Sequence, residues 1–177
     1  QAPDGGLAYT MKLIDGVTLT AHLEQLRARS PQDRPLSERI RQFIRICEAI
    51  SYAHRRGVIH RDLKPDNIMI GPFGEVYVMD WGLARRLDEA ELGRPAVQPN
   101  PTAQMTAVGA VMGTAAYMSP EQARGKTLTP AADQYALGMI LQELVTLSPA
   151  IEETNWEAAL KKAMFGYQRV PTAPPGQ

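Results

Sequence analysis

Four side chains that could together handle a phosphate group lie in one short part of the sequence. Asp62, Lys64 and Asn67 fall in the run HRDLKPDN, which begins at His60, and Asp80 opens the later run DWG. A carboxylate can accept or orient a hydroxyl proton, and a lysine can place positive charge on a phosphate. Carboxylate and amide oxygens suit a hard cation such as Mg²⁺. Transfer of a phosphoryl group requires these residue types.

An Asp–Asn pair in a loop is more often turn chemistry, in which the side chains bond to the local backbone. The segment between the two runs favours the chemical interpretation. Residues 68–70, the Gly- and Pro-rich stretch 71–74 and residues 75–79 predict strand, tight turn and strand. Such a hairpin would fold Asp80 back beside Asn67, which is the geometry that two ligands of one metal ion need.

The two runs are followed by GTAAYMSPE at residues 113–121. In this order they resemble the catalytic, magnesium-binding and substrate-docking loops of protein kinases. The similarity is strongest to bacterial-type serine/threonine kinases, which often carry Ser-Pro-Glu. The resemblance implies an α+β, mainly α fold: a kinase large lobe with a small β-hairpin at the active site. It also implies that most of the small lobe is missing and that the sequence is truncated at both ends.

The resemblance implies a function and a role for each residue of these runs. The protein would transfer the γ-phosphoryl group of ATP to Ser/Thr hydroxyls of proteins, with Mg²⁺, or alternatively Mn²⁺, as the metal. Asp62, Lys64, Asn67 and Thr114 form the catalytic set, and Asn67 and Asp80 ligate the metal. The expected nucleotide-binding residues are Met11, Lys12, Ile14, Thr18, Met69 and Asp80.

Further residues have structural or regulatory roles by the same resemblance. His60, Trp81 and Gly82 support the loops, and Asp133 accepts backbone donors from around His60 and Arg61. Residues 80–121 form the activation loop, whose non-periodic part is typical of a functional or disordered segment. Thr106 is the first phosphorylation candidate and Thr102 the second, with Arg61 as the partner of the phosphate. Glu121 would pair with an arginine late in the large lobe.

The periodicity of the remaining sequence predicts the elements that position these loops. A strand is expected over 7–14, and helices over 18–29, from a Ser37 cap to Gly57, over 130–147, and after Trp156. The residues expected to face inward on the second helix are Leu36, Ile40, Phe43, Ile44, Cys47, Ile50 and Ala53. On the third they are Ala136, Leu137, Ile140, Leu141, Leu144 and Val145. His22 and His54 are taken as surface or packing residues.

Composition narrows the remaining classes of function. The 177 residues include 19 basic and 19 acidic side chains, which does not suggest a nucleic-acid or membrane surface. No long apolar run predicts a membrane span. The lone Cys47 cannot form an internal disulfide, so a cytoplasmic location is expected, with any membrane anchor outside this segment. We expect three parts: 1–16 (last small-lobe strand and hinge), 17–170 (partial large lobe) and 171–177 (loop or disordered tail).

Two other functions remain open. The chain could be a catalytically silent kinase lobe that binds partners, because no glycine-rich phosphate loop and no strand lysine are found. It could also be a small-molecule phosphotransferase, although the GTAAYMSPE run favours a peptide-docking platform. For the kinase, the expected partners are ATP, protein substrates and a second copy for autophosphorylation.

Overall fold

The computed structural model describes residues 13–33, 35–86, 115–152 and 155–166. Its helices are α1 (Leu19–Ala28), α2 (Leu36–Arg55), α3 (Pro120–Ala123), α4 (Pro130–Thr146) and α5 (Trp156–Phe165). Its strands are β1 (Val17–Thr18), β2 (Val58–Ile59), β3 (Ile68–Ile70), β4 (Val76–Val78) and β5 (Arg85–Arg86). Short 3₁₀ turns span Pro31–Asp33, Pro65–Asn67 and Trp81–Leu83. This mainly helical arrangement with short antiparallel strands confirms the predicted fold class.

The predicted hairpin is present as β3 and β4. The two strands pair antiparallel, with Ile68 opposite Val78 and Ile70 opposite Val76. Its turn closes through a hydrogen bond from Gly74 N to the Gly71 oxygen at 3.0 Å. β1 adds to the other edge of β3, and β2 pairs separately with β5. The hairpin therefore joins the two sequence runs that carry the candidate chemistry.

The first part of the described chain differs from the expected strand over 7–14. Leu13 and Ile14 have no regular structure, and Leu13 is 94% exposed; residues 7–12 lie outside the described part of the chain. Within the described residues, the strand that pairs with β3 begins at Val17. Thr18 then caps α1, since its side-chain oxygen accepts from Ala21 N at 3.2 Å. The helix predicted over 18–29 is confirmed, with Thr18 and Arg29 as its caps.

The buried face of α2 is not the one the apolar pattern predicted. Leu36 and Ile44 are 45% and 50% exposed, whereas Ile46, absent from the predicted list, is fully buried. Ile50 and Ala53 are buried as expected. The proposed Ser37 cap is wrong, because the helix already begins at Leu36 and has no side-chain cap.

Arg39 explains this rotation of the buried face. Its Nη1 donates to the backbone oxygen of Leu144 and, at 3.0 Å, to that of Val145. These carbonyls lie in the last turn of α4, where helix oxygens lack partners within the helix. A buried polar residue of α2 therefore binds the last carbonyl oxygens of α4. A pattern of apolar residues cannot predict that this polar residue is buried.

The α4 helix lies between two apolar clusters. Ala136, Ile140 and Leu144 join the main core, which also contains residues of α1, α2 and β3. Met139, which the sequence pattern missed, packs with Ala115, Ala150, Ile151 and Ala159. Val145 was expected inside but is 43% exposed. The helix ends at Thr146, one residue earlier than predicted, because Leu147 adopts a left-handed cap with φ 56°.

Across the ranges that the structure describes, no helix combines the length and apolar character needed to cross a bilayer.

Candidate active site

The site is centred on the carboxylate of Asp62. Lys64 Nζ lies 3.0 Å from Asp62 Oδ2, and Asn67 Nδ2 donates to the same oxygen at 3.0 Å. Asn67 Nδ2 also donates to the backbone oxygen of Asp62 at 2.8 Å. The Asp62 and Lys64 side chains are only 11% and 13% exposed, so water competes little for these contacts. Three of the residues predicted from the first run are therefore in direct contact.

The hairpin brings Asp80 to the same end of the molecule as Asn67. Met79 N donates to the Asn67 oxygen at 2.8 Å, which extends the hairpin pairing by one residue. Asp80 follows in a left-handed conformation with φ 55°, which aspartate tolerates better than most residues. Its exposed side chain accepts from Gly82 N at 3.4 Å. The Asp80 carboxylate is thus held in solvent at the open end of the hairpin, opposite the Gly71–Gly74 turn.

These residues fit a divalent cation that is shared with a ligand. Asn67 turns its amide nitrogen to Asp62, which leaves its amide oxygen as the atom suited to a metal. In the described part of the chain, no group of three or more His, Cys, Asp or Glu side chains could hold a metal alone. One carboxylate and one amide oxygen suit a divalent cation that would take its other ligands from phosphate oxygens and water.

His60 lies fully buried beneath the loop. Its Nε2 donates to the Met79 oxygen at 2.9 Å, and its Nδ1 accepts from Asp62 N at 3.3 Å. These two bonds require the neutral tautomer with the proton on Nε2. Trp81 packs against the ring, with centroids 4.6 Å apart, and donates its Nε1 to Val78 O at 2.9 Å. His60 therefore links the loop that contains Asp62 to the end of the hairpin at Met79.

Asp133, at the start of α4, holds the backbone of the same loop. Its carboxylate accepts from His60 N and Arg61 N, both at 2.9 Å, and it is 2% exposed. The prediction that His54 is an ordinary surface or packing residue is wrong, because the residue contacts the same carboxylate. Its Nε2 lies 2.7 Å from Asp133 Oδ2. Sequence reasoning missed this pair because the two residues meet only when α2 packs against α4.

A second buried network lies between α1, α4 and the segment before α3. Glu143 is 5% exposed, receives Arg27 Nη2 at 2.6 Å, and accepts the hydroxyl of Tyr117. Burial, and then the negative charge of Glu143, raise the pKa of Tyr117 well above its usual value. The tyrosine therefore stays a neutral donor. A glutamate on the apolar face of α4 was the only signal for this network in the sequence.

The remaining predicted site residues divide into two groups. Met69 lies partly buried in β3 opposite Thr18 of β1, and Ile14 lies partly buried just before that strand. Glu121 is partly buried in α3, and no ion pair joins it within the described ranges. The predicted residues that lie outside the described part of the chain are Met11, Lys12, Thr102, Thr106 and Thr114.

Comparison with known families decides which class of protein carries this site. The family described as protein kinase domain matches residues 7–174. This chain belongs to the protein kinase family. The resemblance drawn from the three sequence runs is therefore confirmed, and the buried loop, hairpin and α4 form part of a kinase large lobe. Kinases of this family use ATP and a divalent metal.

Several proteins similar to this chain are named as serine/threonine-protein kinases of bacteria. The kinase named PknD of Protochlamydia amoebophila is 41% identical over 150 residues, covering 78% of this chain and 15% of that protein. PknD of Chlamydia pneumoniae is 35% identical over 176 residues, which cover 93% of this chain and 18% of that protein. PknB of Mycolicibacterium smegmatis is 41% identical over 152 residues, which cover 84% of this chain and 21% of that protein. The kinase chain thus spans about a fifth or less of the length of these relatives.

Proposed function

We propose that the protein containing this chain transfers the γ-phosphoryl group of ATP to serine or threonine hydroxyls of proteins. The observation that carries the proposal is the convergence of Lys64 and Asn67 on one carboxylate oxygen of Asp62. Family membership and the serine/threonine kinase relatives support the same reaction. The bound nucleotide and metal supply the reactive phosphorus and neutralise its charge.

Asp62 and Lys64 act directly on the acceptor and the phosphate. Asp62 accepts a hydrogen bond from the substrate hydroxyl, which turns the hydroxyl oxygen toward the phosphate, and takes up its proton. Lys64, 3.0 Å from Asp62, keeps positive charge where negative charge grows during transfer. The low exposure of both side chains strengthens these interactions.

Asn67 and Asp80 are the proposed metal ligands, through the amide oxygen and the carboxylate. Mg²⁺ is the expected ion and Mn²⁺ the alternative, since both take oxygen ligands. Met69 would lie under the adenine ring. The backbone near Ile14, with Met11, Lys12 and Thr18, would line the rest of the nucleotide site.

Regulation is proposed through the segment between Asp80 and Glu121. Phosphorylation of Thr106, or secondarily Thr102, would place a phosphate within reach of Arg61. In autophosphorylation a second copy of the chain would catalyse this transfer, and ATP would supply the phosphoryl group. Thr114 would bond into the loop near Asp62. Because the reaction uses ATP and the chain has one cysteine, we propose a cytoplasmic site of action.

Transfer of labelled γ-phosphate to a generic basic protein and to the chain itself tests the proposal. Asp62→Asn should lower the rate by roughly 10²–10⁴-fold, the usual worth of a positioned acid or base, and leave nucleotide binding unchanged. Asp33→Asn, the same change at an exposed position, should have no effect. Unchanged turnover in Asp62→Asn would remove Asp62 from its role. Absence of transfer by the unmodified protein would favour the silent interaction module.

A further inference from the structure

Gln122 makes a hydrogen bond that none of the roles above explains. Its side-chain Nε2 donates to the backbone oxygen of Arg61 at 2.6 Å, in a partly buried position. Gln122 lies in α3, directly after residues 117–121, which we name the docking segment. Its backbone nitrogen donates to the hydroxyl of Ser119, a fully buried residue of that segment, at 3.3 Å. Gln122 therefore connects the docking segment to the residue that precedes Asp62.

Arg61 needs such support because of its backbone conformation. Its φ of 73° lies in the left-handed region, which is unfavourable for a residue with a Cβ. Asp133 holds the nitrogen side, since Oδ1 accepts from Arg61 N at 2.9 Å. Gln122 holds the oxygen side. The strained residue is thus fixed by one side chain from α4 and one from α3.

The contact acts on Asp62 through the planar peptide unit that joins Arg61 to Asp62. The oxygen of this unit is held by Gln122, and its N–H, which belongs to Asp62, donates to His60 Nδ1 at 3.3 Å. Because a peptide unit is rigid, holding both ends prevents it from rotating. Release of this unit would free the φ torsion of Asp62, which helps to set the direction of its carboxylate toward Lys64 and Asn67.

We propose that Gln122 is a positioning residue for Asp62 and transmits the order of the docking segment to the catalytic loop. A peptide substrate that binds the docking segment and orders it thereby stabilises the orientation in which Asp62 contacts Lys64 and Asn67. The inference rests on the proposed function, because it assigns Gln122 to the same reaction. Its first test does not require catalysis, so the two can fail separately.

The first test measures hydrogen exchange of the Asp62 amide in the 177-residue chain. Gln122→Leu keeps the size of the side chain and removes the donor, and Gln122→Glu places a carboxylate against the Arg61 oxygen. Both should speed exchange of this amide about tenfold, as expected for the loss of one hydrogen bond. Gln134→Leu, at an exposed position of α4, should leave it unchanged. Unchanged exchange in both Gln122 variants would overturn the proposal.

The second test measures kinetics in the protein as it transfers phosphate. Gln122→Leu should lower kcat about 10–100-fold, as misplacement of a reacting group does, and leave KM for ATP within about twofold. Gln122→Glu should behave alike. Equal acceleration of exchange across the whole chain, or a loss confined to thermal stability with kcat intact, would show a purely structural role and overturn the assignment.

Discussion

Replacing Asp133 with asparagine should destabilise the chain severely although the side chain keeps its size. The carboxylate is 2% exposed and accepts three hydrogen bonds: Arg61 N on Oδ1, and His60 N and His54 Nε2 on Oδ2. An asparagine has one oxygen, so one former acceptor position becomes an NH₂ group. If the oxygen stays toward His60 and His54, the new NH₂ group faces Arg61 N–H, and a buried donor loses its acceptor.

The magnitude follows from these three bonds. A hydrogen bond to a charged group contributes about 1.5–3 kcal/mol, and a neutral one about 0.5–1.5 kcal/mol. The variant loses one charge-assisted bond and weakens two others by about 1 kcal/mol each, so the total is about 3.5–5 kcal/mol. Domains have a total free energy of unfolding of about 5–15 kcal/mol, so the loss is a large fraction of it.

Urea unfolding followed by circular dichroism measures this free energy. Asp133→Asn should shift the midpoint to much lower urea, whereas Asp33→Asn, exposed in the first 3₁₀ turn, should change stability by less than about 0.5 kcal/mol. A cost for Asp133→Asn below about 1 kcal/mol would refute the reasoning, because it would mean that the loop keeps its backbone conformation without the carboxylate.

Three further predictions concern stability, pH and metal binding. Gly16→Ala would place a Cβ 2.4 Å from the Ile70 oxygen, whereas the Cβ in Gly74→Ala meets no atom within 4 Å. In urea unfolding, Gly16→Ala should therefore lower the free energy of unfolding by at least about 2 kcal/mol more than Gly74→Ala does. Equal losses in the two variants would contradict the clash. Burial lowers the pKa of His22 below 6.5, so the unfolded chain binds a proton at this residue more readily than the folded chain does. The free energy of unfolding should therefore fall as the pH drops below 6.5. Urea titrations at several pH values should show that His22→Gln removes this dependence. Asp80→Ala should weaken nucleotide binding in the presence of Mg²⁺ far more than in its absence, as measured by calorimetry; an equal effect in both conditions would refute the metal role.

The residues of the site and the hairpin that carries them could be predicted from short stretches of sequence. Asp62, Lys64 and Asn67 are so close in sequence that a short 3₁₀ turn, Pro65–Asn67, is enough to bring them together. The two short apolar runs and the Gly71–Gly74 turn between them likewise predicted the hairpin that brings Asp80 to Asn67. These features depend on residues a few positions apart, so local geometry is sufficient to predict them.

Which polar residues are buried, and which groups they bind, could not be predicted in this way, because both depend on how the helices pack. His54 reaches Asp133, Arg39 reaches the end of α4, and Gln122 reaches Arg61 across separations of 79, 105 and 61 residues. A polar side chain on a helix appears in sequence as a solvent-facing residue, because periodicity reports only where apolar residues recur. Whether it is buried depends on a partner brought by another element. An unpaired backbone group at a helix end needs a protein partner only where packing removes it from water, so the sequence of one helix does not show that need.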